Sequence, residues 1–145
     1  MKKKLILAIG LMCSIGFLQA QNWQTDFEQA KTQAAKESKT IIMVFQGSDW
    51  CAPCMKLNKD IWSTEEFINY ANDHFVMLKV DFPRKKANAL TPEQQDKNKK
   101  LAEVYNKNGY FPFIVVIDSE GNIKGQTGYK SMTPGEYIIH LTSFK

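Results

Sequence analysis

Ser48-Asp49-Trp50-Cys51-Ala52-Pro53-Cys54-Met55-Lys56 is the stretch from which the rest of the chain is read. An apolar run, Thr40 to Phe45, precedes it and is rich in β-branched residues, so it reads as a buried β-strand. After Cys51 the period becomes helical, with Cys54, Leu57, Asn58 and Ile61 on a common face. Cys51 therefore stands where strand gives way to helix. The unpaired N–H groups and dipole of a first helical turn favour negative charge. A thiolate is such a charge, so the position predicts a lowered thiol pKa and a raised reactivity for Cys51. Pro53 suits the same first turn, where a missing N–H costs nothing.

Working outward, Asn22 to Ser38 carries Trp23, Phe27, Ala30 and Ala34 at helical spacing. The helix that follows the cysteine turn is expected to run from Cys51 to about Lys59. Ser63 with Glu66 forms a capping-box pattern for a further helix. Phe75 to Val80, closed by Asp81, reads as the second strand. Phe82 to Lys100 is polar, and Thr91-Pro92 marks the start of a helix within it, with Leu101, Val104 and Tyr105 as its apolar stripe. Phe113 to Ile117 reads as a strand, Asp118 to Asn122 as a hairpin turn and Ile123 to Thr127 as the partner strand. Thr133-Pro134-Gly135-Glu136 opens a last helix with Tyr137, Ile138 and Leu141 facing inward. The order is α-β-α-β-α-β-β-α, in one domain without repeats.

Trp50-Cys51-Ala52-Pro53-Cys54 after a buried strand resembles the active site of the thioredoxin family, and Gly47-Ser48-Asp49-Trp50-Cys51 is similar to secreted bacterial thioredoxin-like proteins and to DsbD-type C-terminal domains. The resemblance covers most of the chain after about Trp23. It implies an α/β thioredoxin fold: a central mixed sheet of about four strands flanked by helices, here with an extra N-terminal helix. It implies a redox-active Cys51–Cys54 disulfide, with Ala52, Pro53 and Asp49 supporting the active-site turn. Trp50 would shape the rim. Pro112, in Tyr110-Phe111-Pro112-Phe113, would carry a cis peptide bond and, with Phe111 and Gly128, line the substrate groove. An extended substrate would pair with free backbone groups there. For Gly128 a simple turn is an equal reading.

The cysteine pair has other readings. A zinc site needs about four ligands, and His74 and His140 stand alone in the sequence. A purely structural disulfide closing so short a loop removes only ~2 kcal/mol of chain entropy. Redox chemistry is favoured: a thiol–disulfide oxidoreductase, reductase rather than oxidase, because Ala52-Pro53 is close to the Gly-Pro of reducing relatives. It would act as a monomer on protein disulfides or thiols, without metal or organic cofactor, and a redox partner would recycle it. The alternative is a non-enzymatic thioredoxin-fold adaptor with a static disulfide. Its support is a departure from the family. Phe45 stands where relatives bury an acid that takes the proton of the second cysteine, Met77 stands where its lysine partner is expected, and Asn58 replaces the acid of DsbD-type domains. Water, or Asp49 beside the motif, would have to serve instead, although Asp49 reads first as a solvent-exposed residue of the turn.

Lys2-Lys3-Lys4, an apolar stretch from Leu5 to Leu18, then Gln19-Ala20 read as a secretory signal peptide. The stretch is shorter than the ~20 residues of a membrane span. Cleavage after Ala20 leaves a domain of residues 21–145, without a stable membrane span. Cys13 follows Met12 rather than a small residue, so a lipid anchor is not expected. Losing the three lysines lowers the formal charge from +4 to +1. A near-neutral domain makes no electrostatic case for nucleic acid. The destination is the periplasm or the exterior, where disulfides persist. Arg84-Lys85-Lys86 and Lys97 to Lys100 read as a solvated face and loop, interspersed with Glu93 and Asp96, rather than as a docking patch.

Overall fold

The computed structural model describes residues 21–144, so the expected signal and its cleavage site lie outside the described residues. The elements follow in the order β1 (Trp23–Gln24), α1 (Phe27–Glu37), β2 (Thr40–Gln46), α2 (Ala52–Leu57), a π turn (Asn58–Trp62), α3 (Glu65–His74), β3 (Phe75–Asp81), a short 3-10 turn (Lys86–Asn88), α4 (Pro92–Tyr105), β4 (Phe113–Ile117), β5 (Ile123–Thr127) and α5 (Pro134–Thr142). They build the thioredoxin-like fold. The sheet has five strands in the order β1-β3-β2-β4-β5. β1, β3 and β2 run parallel to one another, and β4 is antiparallel to both of its neighbours, β2 and β5.

Helices cover both faces of the sheet, which is why β2 and β4 are apolar runs rather than alternating ones. Successive side chains of a strand point to opposite faces. Ile42, Val44, Met77, Ile114 and Val116 accordingly pack with Leu57, Ile61, Trp62, Phe67, Tyr137 and Leu141 on one side. Ile41, Met43, Phe45, Val76, Leu78 and Val80 pack with Ala30, Ala34 and Leu101 on the other. Trp62 anchors the first cluster, edge-on to Phe67 and Tyr137 with ring centroids 4.7 and 5.4 Å apart.

Some local readings change. Trp23 is not helical: it pairs with Met77 as an edge strand, which takes the sheet from about four strands to five. The first helix starts only after Asp26, whose carboxylate accepts from the Gln29 amide. The helix after the π turn is capped by Thr64, which accepts from Phe67 N, not by Ser63. Ser63 N instead closes an i→i+5 bond to Asn58 O at 2.9 Å. That bond makes the π turn, so regular α-helix ends at Leu57 rather than at Lys59. Val104 is exposed and is not part of the apolar stripe of α4. Thr91 and Thr133 cap their helices as expected, the latter with a full capping box through Glu136.

Candidate active site

The chain turns sharply between the end of β2 at Gln46 and the start of α2 at Ala52. Gly47 O accepts from Cys51 N at 3.0 Å, which closes that turn. Any side chain on Gly47 would run into the Trp50 indole, so the turn requires glycine there. Cys51 is the N-cap of α2 and forms a disulfide with Cys54. Its Sγ accepts from the Cys54 amide at 3.3 Å. A donor aimed at that sulfur favours its charged form once the bond is reduced.

Burial does not separate the two cysteines. A place at the strand-to-helix junction suggests a more exposed Cys51 and a more shielded Cys54 one turn further in, yet each residue is 4% exposed in the oxidised state. What distinguishes them is position. Cys51 caps the helix and receives an amide, while Cys54 lies within it beside buried Leu57. Ala52 and Pro53 are exposed in the first turn.

The Phe111–Pro112 peptide bond is cis, as the resemblance implied. Phe111 meets Trp50 edge-on with centroids 5.4 Å apart, and this contact joins the cysteine turn to the proline turn. Pro112 itself is buried. Gly128 lies across from it: a Cβ at Gly128 would meet only the Pro112 carbonyl oxygen, at an ordinary 3.6 Å. Neither space nor a positive φ therefore demands glycine at that position. The Gly128 carbonyl is fixed from behind by the Tyr137 hydroxyl, which donates to it at 2.9 Å.

Asp49 is not a free base near Cys54. Its carboxylate accepts from Arg84 N at 2.9 Å and from Lys85 N and Asn88 Nδ2 at 3.0 Å each. The Arg84 amide foremost, then Asn88 and Lys85, hold its pKa below the ordinary value. Ser48 adds a parallel link, its N and Oγ donating to the Asp81 carboxylate at 2.9 and 2.6 Å. The segment from Asp81 to Asn88 is thus stitched to the cysteine turn. Sequence reasoning missed Phe82, Arg84 and Asn88. The available signal was an acid two residues before Cys51 facing a long polar loop.

Phe45 is fully buried and pairs across β3 with Val80. Met77 pairs with Ile42 and packs on the opposite face of the sheet, so it is not the neighbour of Phe45. Among the described residues, no group of three or more His, Cys, Asp or Glu could hold a metal ion. Nor is any helix there long and apolar enough to cross a membrane.

A family model described as thioredoxin-like matches residues 22–119. A disulfide bond reductase, DsbH of Chlamydia pneumoniae, is 34% identical over 83% of this chain and 70% of its own length. A solved DsbH oxidoreductase superposes with a TM-score of 0.79 at 29% identity, covering 98% of this chain and 93% of that one. The oxidised C-terminal domain of DsbD from Neisseria meningitidis shares the fold, with a TM-score of 0.52 at 20% identity over 81% of this chain and 90% of that one.

Proposed function

This chain belongs to the thioredoxin-like family and is a thiol–disulfide oxidoreductase, and we propose that it works as a reductase of protein disulfides in an extracytoplasmic compartment. The observation that carries this reading is the Cys51–Cys54 disulfide at the start of α2, in a chain similar to a disulfide bond reductase. Ala52-Pro53 between the cysteines and the basic, then apolar start of the chain support the direction and the compartment.

In this mechanism the Cys51 thiolate attacks one sulfur of a substrate disulfide. That S–S bond breaks, the other substrate sulfur leaves as a thiolate, and Cys51 is joined to the substrate. Cys54 then loses its proton, for which water is the acceptor in the absence of a buried acid at Phe45, and attacks Cys51. The mixed disulfide breaks, the substrate leaves reduced, and Cys51–Cys54 is oxidised. Two electrons have passed to the substrate, and a dithiol partner must return them. Trp50, Phe111, Pro112 and Gly128 form the rim against which the substrate segment lies.

Insulin reduction in the presence of dithiothreitol tests this. Turnover above the dithiothreitol background is expected, and it should disappear in Cys51→Ser. Background rates for the unaltered protein would favour an adaptor with a static disulfide.

A further inference from the structure

We propose that Arg84 is a specificity-determining residue of the rim, docking a substrate carboxylate that flanks the disulfide under attack. This rests on the reductase reading above. The Arg84 guanidinium lies over the Trp50 indole, its Cζ 3.8 Å from the ring centroid, one residue from Cys51. Its backbone is clamped at the same time, because Arg84 N donates to Asp49 and the preceding Phe82 O accepts from Trp50 Nε1 at 2.7 Å. Holding an exposed arginine in place ordinarily costs side-chain entropy. Here the stack on the ring and the fixed loop do the holding in advance.

Stacking occupies the face of the guanidinium and leaves its in-plane N–H groups free. Among the described residues Arg84 is in no ion pair, nor are Lys86 and Lys99, which line the same cleft of about 210 Å³. The basic segment is therefore not uniform. Lys97 is paired with Asp26 and Glu93, and Lys100 with Asp96. Two carboxylates close by are committed elsewhere: Asp49, which accepts from the loop amides, and Asp81, which lines the same cleft and accepts from Ser48. A pre-positioned fork with free donors, backed by unpaired lysines, matches a carboxylate in geometry and charge. The occupant is an acidic side chain of the substrate polypeptide, beside its half-cystine.

Disulfide-bonded peptides alike except for Glu, Gln or Lys beside one half-cystine test this by steady-state kinetics. The unaltered protein should show kcat/KM in the order Glu, Gln, Lys, with about threefold between the first two, the size expected of an exposed ion pair. The difference should lie in KM and shrink as salt rises. Arg84→Gln keeps the backbone N–H to Asp49 and should erase the Glu-over-Gln ratio; Arg84→Lys should restore part of it. An undiminished ratio in Arg84→Gln, or no ratio in the unaltered protein, would overturn the proposal. Failure to reduce even the Gln peptide would instead overturn the reductase reading, and the proposal with it.

Discussion

The indole Nε1 of Trp50 donates a 2.7 Å hydrogen bond to the carbonyl oxygen of Phe82. Through it the residue before Cys51 is tied to the segment that leaves β3. Phe82 also meets Phe111 edge-on at 5.6 Å, so the loop after β3, the cysteine turn and the proline turn share one aromatic cluster. Trp50→Phe keeps an aromatic ring but removes the pyrrole half of the indole and with it the donor. It should cost at least about 1 kcal/mol in urea unfolding, the usual net worth of such a bond, with the lost ring contacts added. Amide exchange in residues 82–88 should quicken with it. Unchanged exchange there would show that the loop is held without Trp50.

The Asp49 clamp should respond to acid. Hydrogen bonds from Arg84 N first, then Asn88 and Lys85, hold its pKa below the ordinary 3.8 in the folded protein. The folded value lies below the unfolded one, so the clamp contributes fully above the unfolded value and is lost as pH falls through the folded value. NMR shifts of the Arg84 and Lys85 amides should therefore move together below about pH 4. Asp49→Asn should remove that step, and a step that survives the substitution would assign it to another group.

Phe45 is buried where the family resemblance implies an acid, and its ring lies 6.4 Å from that of Phe113, the residue after Pro112. Phe45→Asp should quicken release of reduced substrate at neutral pH by giving Cys54 a proton acceptor. It should also cost at least ~3 kcal/mol, from the lost ring and the buried carboxylate. Stopped-flow single turnover on a variant shown to be folded separates the effects, and an unchanged resolving step would count against slow proton transfer from Cys54.

Much of this was legible in the sequence. The apolar run of β2, the cysteine turn and the caps at Thr91 and Thr133 each carry a local signal, because the bonds involved span only a few residues. Where several elements must agree, the signal fails. Trp23 continues the helical spacing of Phe27, Ala30 and Ala34, yet pairs with Met77, since a two-residue edge strand is too short to show a period of its own. The π turn inserts one residue between Leu57 and Ser63, and that shifts the cap from Ser63 to Thr64. Asp49 reads in the sequence as a solvent-exposed turn residue, because its partners, Arg84, Lys85 and Asn88, lie 35 or more positions away. The mistaken pairing of Phe45 with Met77 has the same origin, for register across β2 and β3 is set by the whole strand.

The roles of the two cysteines can be read by trapping. Cys51 caps α2 and accepts an amide, whereas Cys54 lies inside the helix. Cys54→Ser should accumulate mixed disulfides with substrate proteins, seen on non-reducing gels and released by dithiothreitol. Cys51→Ser should trap few. The reverse pattern would exchange the attacking and resolving roles.

The reduction potential of the Cys51–Cys54 pair, measured by equilibration in redox buffers of defined poise, tests the reductase reading most directly. A reversible two-electron titration near the thioredoxin value of ~−270 mV is predicted. A value near the ~−120 mV of a strong oxidant such as DsbA, or a disulfide that does not titrate with the buffer, would contradict it.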